Sequence, residues 1–314
     1  MKKTVLIWIA SIFTVLLIGG GIYAFTVYQK VSNTMNQIHQ SLNRDHSSQR
    51  PEDVSAKAKK PISILLLGID PVGEDELESK TETYGRSDSI MLLTLNPNTK
   101  TMKTLSIPRD TYGEIVGKNE SDNINRAYAY GNIDMAVNTI EKYMNVPVDY
   151  YVTVETSSVK DIVTILGGID VNNNLDFTTG TIHFPQGVVH LTGNTAEAYV
   201  RDRYNDPSGD FGRQSRIRDL VNATIKKGAD LSSLSNLEPI LTAVGKDVKT
   251  NLTQDDMISI IQNYKDSRNN NEELQLLGGE GFFTGTMWHY RVKDETRKEV
   301  TNKLRQNLEI PLQQ

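Results

Sequence analysis

The sequence predicts an α/β fold: a layered sandwich around a mixed sheet, standing behind an N-terminal membrane-spanning helix. Three observations carry this. ISILLLGID (62–70) is a continuous apolar run ending in Gly-Ile-Asp, the pattern of a strand buried on both faces. Further strand-like runs are interleaved with segments of helical periodicity, which favours layered packing of helices on a sheet. From Thr4 to Tyr28 no side chain is charged, and a helix of that length spans roughly 30 Å of hydrocarbon.

Taken in order, Lys2 and Lys3 form a short basic tip (1–3) that stays cytoplasmic by the positive-inside rule. The run 4–28 exceeds the roughly 7–15 residues of a cleavable signal core, and no small-x-small site follows it, so it is expected to persist as an anchor. Val27, Val31, Met35, Ile38 and Leu42 recur at helical spacing, giving a short stalk, while hydrophobicity collapses over 44–60, which reads as a flexible tether. The folded domain is expected to occupy 61–314. Within it SIMLLTLNPNTKTMKTLSIPRD (89–110) forms a hairpin about Asn96-Pro97-Asn98-Thr99. A helix is expected around 133–144, a strand at 148–155, and a helix over 157–168 opened by serine and closed by glycines. Strand pieces near 169–172 and 187–191 precede a helix from Asn194 to about Tyr204. Helices at 212–228, 234–246, 253–268 and 294–308 and β segments at 274–278 and 286–292 complete the pattern.

Lys+Arg number 34 against 39 Asp+Glu, a net charge of -5, which disfavours a dedicated nucleic-acid binder. No cysteine is present, so disulfides, thiolate nucleophiles and thiolate zinc sites are excluded. Neither G-x-x-x-x-G-K-[ST] nor a strand-borne G-x-G-x-x-G occurs, which disfavours a nucleotide as phosphate donor. The five histidines form no H-E-x-x-H pair, and no G-x-S-x-G elbow is found.

Charge collects where open α/β sheets bind ligands, beyond strand ends. Asp70 follows LLLGI, Arg109 and Asp110 follow LSIP, and Arg86 and Asp88 stand just before a strand. Carboxylates beside arginines suit a hard divalent cation and a phosphate held in guanidinium forks. For any one pair a strand-end salt bridge is the competing reading, and only their number favours a site. Arg201, Arg203, Arg213, Arg216 and Arg218 crowd YVRDRYNDPSGDFGRQSRIRDL (199–220), which holds no lysine. Arginine alone gives planar, bidentate phosphate recognition. Arg213 and Arg216 share a helical face, and Arg213 lies near a helix N-terminus, where free N–H groups attract anions. Pairing with Asp202, Asp210 and Asp219 is the competing reading here.

ISILLLGID, GRSDSIMLLTLNP, SIPRDTY, NINRAYAYG, VPVDYYVTV, LGGIDV and AYVRDRYNDPSGDFGRQSR, in this order behind one anchor, resemble the LytR-CpsA-Psr family, most strongly over about 60–230. The resemblance implies an α/β/α sandwich with a hydrophobic groove for a lipid tail. It implies a phosphotransferase of cell-wall biogenesis that moves a glycopolymer such as wall teichoic acid from undecaprenyl pyrophosphate to the 6-hydroxyl of N-acetylmuramic acid in peptidoglycan. It places pyrophosphate contacts at Arg86, Arg109, Arg201, Arg203 and Arg213, with Arg216 as a further contributor, and Mg²⁺ (or Mn²⁺) at Asp70 and Asp88. Arg86, Arg109 and Asp88 are the expected catalytic groups. Asp70, Asp88 and Asp202 are candidates for the base. Ile217 stands where the family commonly has glutamine, so a polar contact is either missing or supplied by Gln214. Val159, Ile162, Val163 and Leu166 are candidate groove walls, with plain core as the alternative. The expected location is the cell membrane of a Gram-positive-type bacterium, catalytic domain outside. A non-enzymatic lipid-pyrophosphate scaffold or sensor and a lipid pyrophosphatase are the competing functions.

Overall fold

The apolar run at the start of the domain has no polar face to offer water, and the fold gives it none. It forms β1 (Ile62–Asp70), flanked by antiparallel β2 (Arg86–Asn96) and parallel β6 (Tyr150–Glu155). The structure, a computed structural model, describes residues 26, 29–30, 32–44, 46–50, 54–70, 84–202, 205–230, 245 and 247–313. β3 (Thr101–Ile107) returns beside β2 after a turn in which Asn96 Oδ1 accepts from the N–H groups of Asn98 and Thr99. β12 (Asn271–Gln275) runs parallel to β3, and β11 (Val248–Thr250) antiparallel to β6. The six-stranded mixed sheet has the order β11-β6-β1-β2-β3-β12.

Alternation along the strands makes the layers. Leu65, Leu67, Leu92 and Leu105 face Ile133, Val137 and Ile140 of α1 (Arg126–Met144) and Val300 and Leu304 of α6 (Asp294–Asn307). Their neighbours Ile64, Leu66, Met91 and Leu93 face the other way, against α4 (Asp210–Asp230) and α5 (Gln254–Asn263). Helices thus cover both faces, as expected of an α/β/α sandwich. Each fully buried leucine or isoleucine contributes roughly 1.5–3 kcal/mol. Beside the sheet a third apolar cluster joins α2 (Val159–Ile165), α3 (Gly193–Arg201), the pair β7 (Ile169–Asn173) and β10 (Gly187–Leu191), and the hairpin β8 (Phe177–Thr179)–β9 (Ile182–Phe184). Two more hairpins, β4 (Tyr112–Ile115)–β5 (Glu120–Asn123) and β13 (Glu280–Thr284)–β14 (Met287–Arg291), pack beside the end of β3.

Several boundaries differ from expectation. The helix foreseen from 133 begins at Arg126, but Gly131 and Asn132 (φ 58) leave helical space, so the periodic run proper resumes at Ile133. The helix foreseen over 253–268 stops at Asn263 and is followed by a 3-10 turn. α3 ends at Arg201 and not near Tyr204, because Asp202 turns extended (ψ 132) and is held by side chains downstream. The hairpins β4–β5 and β8–β9 are too short for alternation to signal them. The helix expected at 234–246 and the rim loop between Asp70 and Arg86 fall almost wholly outside the described residues.

The stretch 44–60, expected as a loose tether, is instead fastened to the domain. Arg44 pairs with buried Glu141 at 2.5 Å and Arg50 with Asp149 at 3.1 Å. Ala56 and Ile38 are fully buried, and the His39 backbone bridges to Thr250. Polar composition misled here because the arginines of this strap find carboxylates on the domain. The membrane anchor expected over 4–28 lies, Thr26 apart, outside the described residues. Among those described, no helix is long and apolar enough to cross a membrane.

Candidate functional site: two cavities about one charge cluster

β1 pairs Gly68 with Ser89 and Ile69 with Ser87, so Asp88 is the extra residue of a bulge. A bulge re-aims its side chain out of the regular alternation. Gly68 is needed opposite: a Cβ there would come within 3.0 Å of the Ser89 Cβ. Asp88 Oδ2 meets Arg109 Nη1 at 3.0 Å and lies 4.0 Å from Arg213 Nη1. Three elements supply this triad. Asp88 comes from β2, Arg109 from the turn after β3, and Arg213 from the first turn of α4. Arg213 is 4% exposed, and its Nε donates to the Val200 carbonyl at 3.2 Å. Two guanidiniums thus converge on one carboxylate at low exposure.

Asp88 and Arg213 also border an apolar cavity of about 230 Å³. Its walls are Val159, Ile162 and Val163 of α2, Ile217 and Val221 of α4, and Met91 of the sheet. Leu166 is not among them and packs in the third cluster as core. Glu155, at the end of β6, lines the cavity too, and burial followed by the nearby Asp247 pushes its carboxyl up.

A polar cavity of about 200 Å³ is bordered by Arg86, Asp110, Asn123, Asn125, Arg126 and Trp288. Arg109 Nε sits 3.5 Å from Asp110 Oδ2, so the charge cluster joins the two cavities. Arg126 was missed as a site residue, although NINRAYAYG carries it. Its signal is position: it opens α1 and donates to Asp122 at 3.0 Å. Asp70, exposed at the end of β1, is registered opposite Arg86.

Other expected residues border neither cavity or lie outside the described residues. Arg216, expected at the pyrophosphate, is buried and donates to the carbonyls of Tyr199 (3.0 Å) and Asp202 (2.7 Å) and to Asp206, with its guanidinium over Phe177. It fastens the turn after α3 and is not among the residues bordering either cavity. Asp202, a candidate base, accepts from Thr179 and from Asn205 at 2.6 Å and 3.0 Å. Burial opposes its ionisation, but these bonds and Arg216 prevail and hold its carboxyl below the usual range. A carboxyl held below the usual range is a weaker base. Arg218 pairs with Glu273 at 2.8 Å. Arg201 is largely exposed and pairs with Glu197 at 3.2 Å, and Arg203 lies outside the described residues. Gln214 borders a small recess with Ser106, Pro108 and Arg218, away from the apolar cavity.

The LytR_cpsA_psr family profile matches residues 25–306. The chain belongs to the LytR-CpsA-Psr family. A family protein from Bacillus mycoides (strain KBAB4), named polyisoprenyl-teichoic acid–peptidoglycan teichoic acid transferase TagU, is 50% identical over 310 residues, 99% of each chain. The protein of that name from Bacillus subtilis (strain 168) is 39% identical over 98% of this chain and 97% of its own. Among solved LytR-CpsA-Psr structures, TagT bound to LI-WTA aligns with a TM-score of 0.72 at 30% identity, covering 87% of this chain and all (100%) of that one. B. subtilis TagU aligns with a TM-score of 0.65 at 38% identity, covering 82% of this chain and 100% of that one.

For this LytR-CpsA-Psr chain the departure at Ile217 has a local reading. The side chain is one wall of the apolar cavity, where a glutamine amide would need a partner.

Proposed function

We propose that the chain is a membrane-anchored transferase that moves a glycopolymer, wall teichoic acid, from polyprenyl pyrophosphate to peptidoglycan at the outer face of a Gram-positive-type cell membrane. The carrying observation is the apolar cavity whose border includes Asp88 and Arg213, beside Arg109. A greasy cleft with fixed positive charge at its rim suits one ligand class, an isoprenoid chain bearing phosphates. Full-length relatives named for this transfer support the reading.

The acceptor hydroxyl oxygen attacks the phosphorus that bears the polymer. The new O–P bond forms as the bridging O–P bond of the pyrophosphate breaks, and the lipid leaves as its monophosphate. Phosphoryl transfer asks mainly for positioning and charge neutralisation. Arg213, anchored on Val200, and Arg109, anchored on Asp88, are held to supply both without reorganising. Asp88 on its bulge and Asp70 on the adjacent strand offer the oxygen donors a magnesium ion takes, together with substrate phosphate. When bound, the ion would neutralise charge on the pyrophosphate. Arg86, Arg201 and Arg203 complete the proposed phosphate contacts. The lipid tail lies along α2 and α4.

The test incubates the full chain in detergent with a synthetic lipid-pyrophosphate donor, Mg²⁺ and peptidoglycan fragments. Covalent polymer–glycan product is expected. Free polymer phosphate without adduct would mean a pyrophosphatase, and binding without product a scaffold.

A further inference from the structure

We infer that the polar cavity beside Trp288 receives a saccharide of the acceptor glycan, with Trp288 as its stacking platform and Asn125 as a hydrogen-bond acceptor that positions it. The inference rests on the transferase reading and gives the acceptor a place. The two cavities meet at one charge cluster, Asp88–Arg109–Asp110, with Asp88 bordering the apolar side and Asp110 the polar side. An in-line displacement needs the nucleophile to approach opposite the leaving group. With the lipid in one cavity, the other is the space left for the hydroxyl.

The chemistry of the polar cavity selects a saccharide over a second anion. Asn125 is 5% exposed, yet its Oδ1 finds no hydrogen-bond partner among the described residues. It occupies the N-cap position of α1, where an asparagine normally accepts from the first-turn N–H groups, and makes no such bond. A buried acceptor of this kind calls for a donor, and an ionised phosphate has none. Asp110, 3.5 Å from Arg109 Nε, is a second acceptor on the same wall. Arg86 and Arg126 donate while Asp110 and Asn125 accept, a mixture that hydroxyl and acetamido groups can satisfy at once.

The platform is aromatic and fixed. Trp288 is 38% exposed, and Phe283, its cross-strand neighbour on the same face of the hairpin, is 68% exposed. A flat ring beside polar groups suits the apolar C–H face of a pyranose. Asn123 pins the hairpin: its Nδ2 donates to the Trp288 carbonyl at 3.1 Å, and its Oδ1 meets His289 Nδ1. The Tyr290 N–H donates to the Asp110 carbonyl at 2.8 Å, so platform and charge cluster move together.

The sequence has two tryptophans, Trp8 and Trp288, so Trp8→Phe in the full chain leaves Trp288 as the sole tryptophan, excited selectively at the red edge of the tryptophan band. Titrating this protein in nanodiscs with a soluble N-acetylglucosamine–N-acetylmuramic acid tetrasaccharide should give a saturable emission change, with Kd at least about tenfold weaker in Asn125→Ala. In the transfer assay Trp288→Ala should raise the acceptor KM about tenfold and leave the donor KM unchanged, a split that general loosening would not produce. If Asn125→Ala fails to fold, Trp288→Ala carries the test alone. Emission indifferent to the tetrasaccharide, an unchanged acceptor KM, or quenching of Trp288 by brominated lipids, which would make the hairpin a bilayer contact, overturns the inference. Saturable binding by a protein that transfers nothing would leave the saccharide site standing and sink the transferase reading.

Discussion

Asp88 shows how much one backbone irregularity can decide. A regular β2 would keep Asp88 in the alternation, whereas the bulge presents it to Arg109 and Arg213. Asp88→Ala leaves both guanidiniums without their shared anchor, so kcat should fall about 100-fold, the scale of losing a preorganised charge, while circular dichroism stays native. Donor binding that survives with product lost would separate catalysis from capture. Asp219 gives a different residue-scale prediction. Burial lifts its carboxyl to about 6, against Arg218, with Glu273 adding to the rise. Between about pH 4 and 6 the folded state then holds more protons than the unfolded one, so stability falls as pH rises through that window. Asp219→Asn should melt with the parent near pH 4 and above it by pH 7, in thermal scans at both. Sequence singled out Arg109 after a strand, Asp88 before one and Arg213 near a helix N-terminus, and the fold brings the three together. Arg216, expected at the phosphate, has its guanidinium on backbone carbonyls, and the two uses look alike in sequence.

At the scale of elements, α2 and α4 matter as two walls that fail to close on each other. Periodicity alone marks Val159, Ile162 and Val163 as apolar and cannot say whether they face core or cleft. Here they face the cleft, with Ile217 and Val221 opposite. Thr224, a turn further along α4, borders the same space. Thr224→Trp should fill it and reduce transfer from a long-chain polyprenyl donor more than about tenfold, about 1.4 kcal/mol, while a short-chain donor is spared. Equal loss with both donors would place the lipid elsewhere. The hairpins β4–β5 and β8–β9 were not legible, since three or four residues cannot display a period, whereas the strand expected at 286–292 is β14, whose hairpin brings Trp288 to the polar cavity.

For the whole molecule, the strap over residues 32–60 changes where the domain begins. Met35, Ile38 and Ala56 are buried, and Arg44 and Arg50 reach buried carboxylates on the domain. Removing one partner of a buried pair costs about 3–5 kcal/mol. At about 2–4 °C per kcal/mol for a chain of this size, a protein starting at 61 should melt on the order of 10 °C below one starting at 29. Equal melting temperatures would mean the strap contributes nothing. Sequence alone determined the sheet's central strand, the covering helices, the family and the residue types that collect at strand ends, because period, apolar runs and motif order are local properties of the chain. Tertiary structure decided which arginines share a carboxylate, which apolar face stays open, and that the tether docks. Those are matters of distance between residues far apart in sequence, and composition holds no record of them.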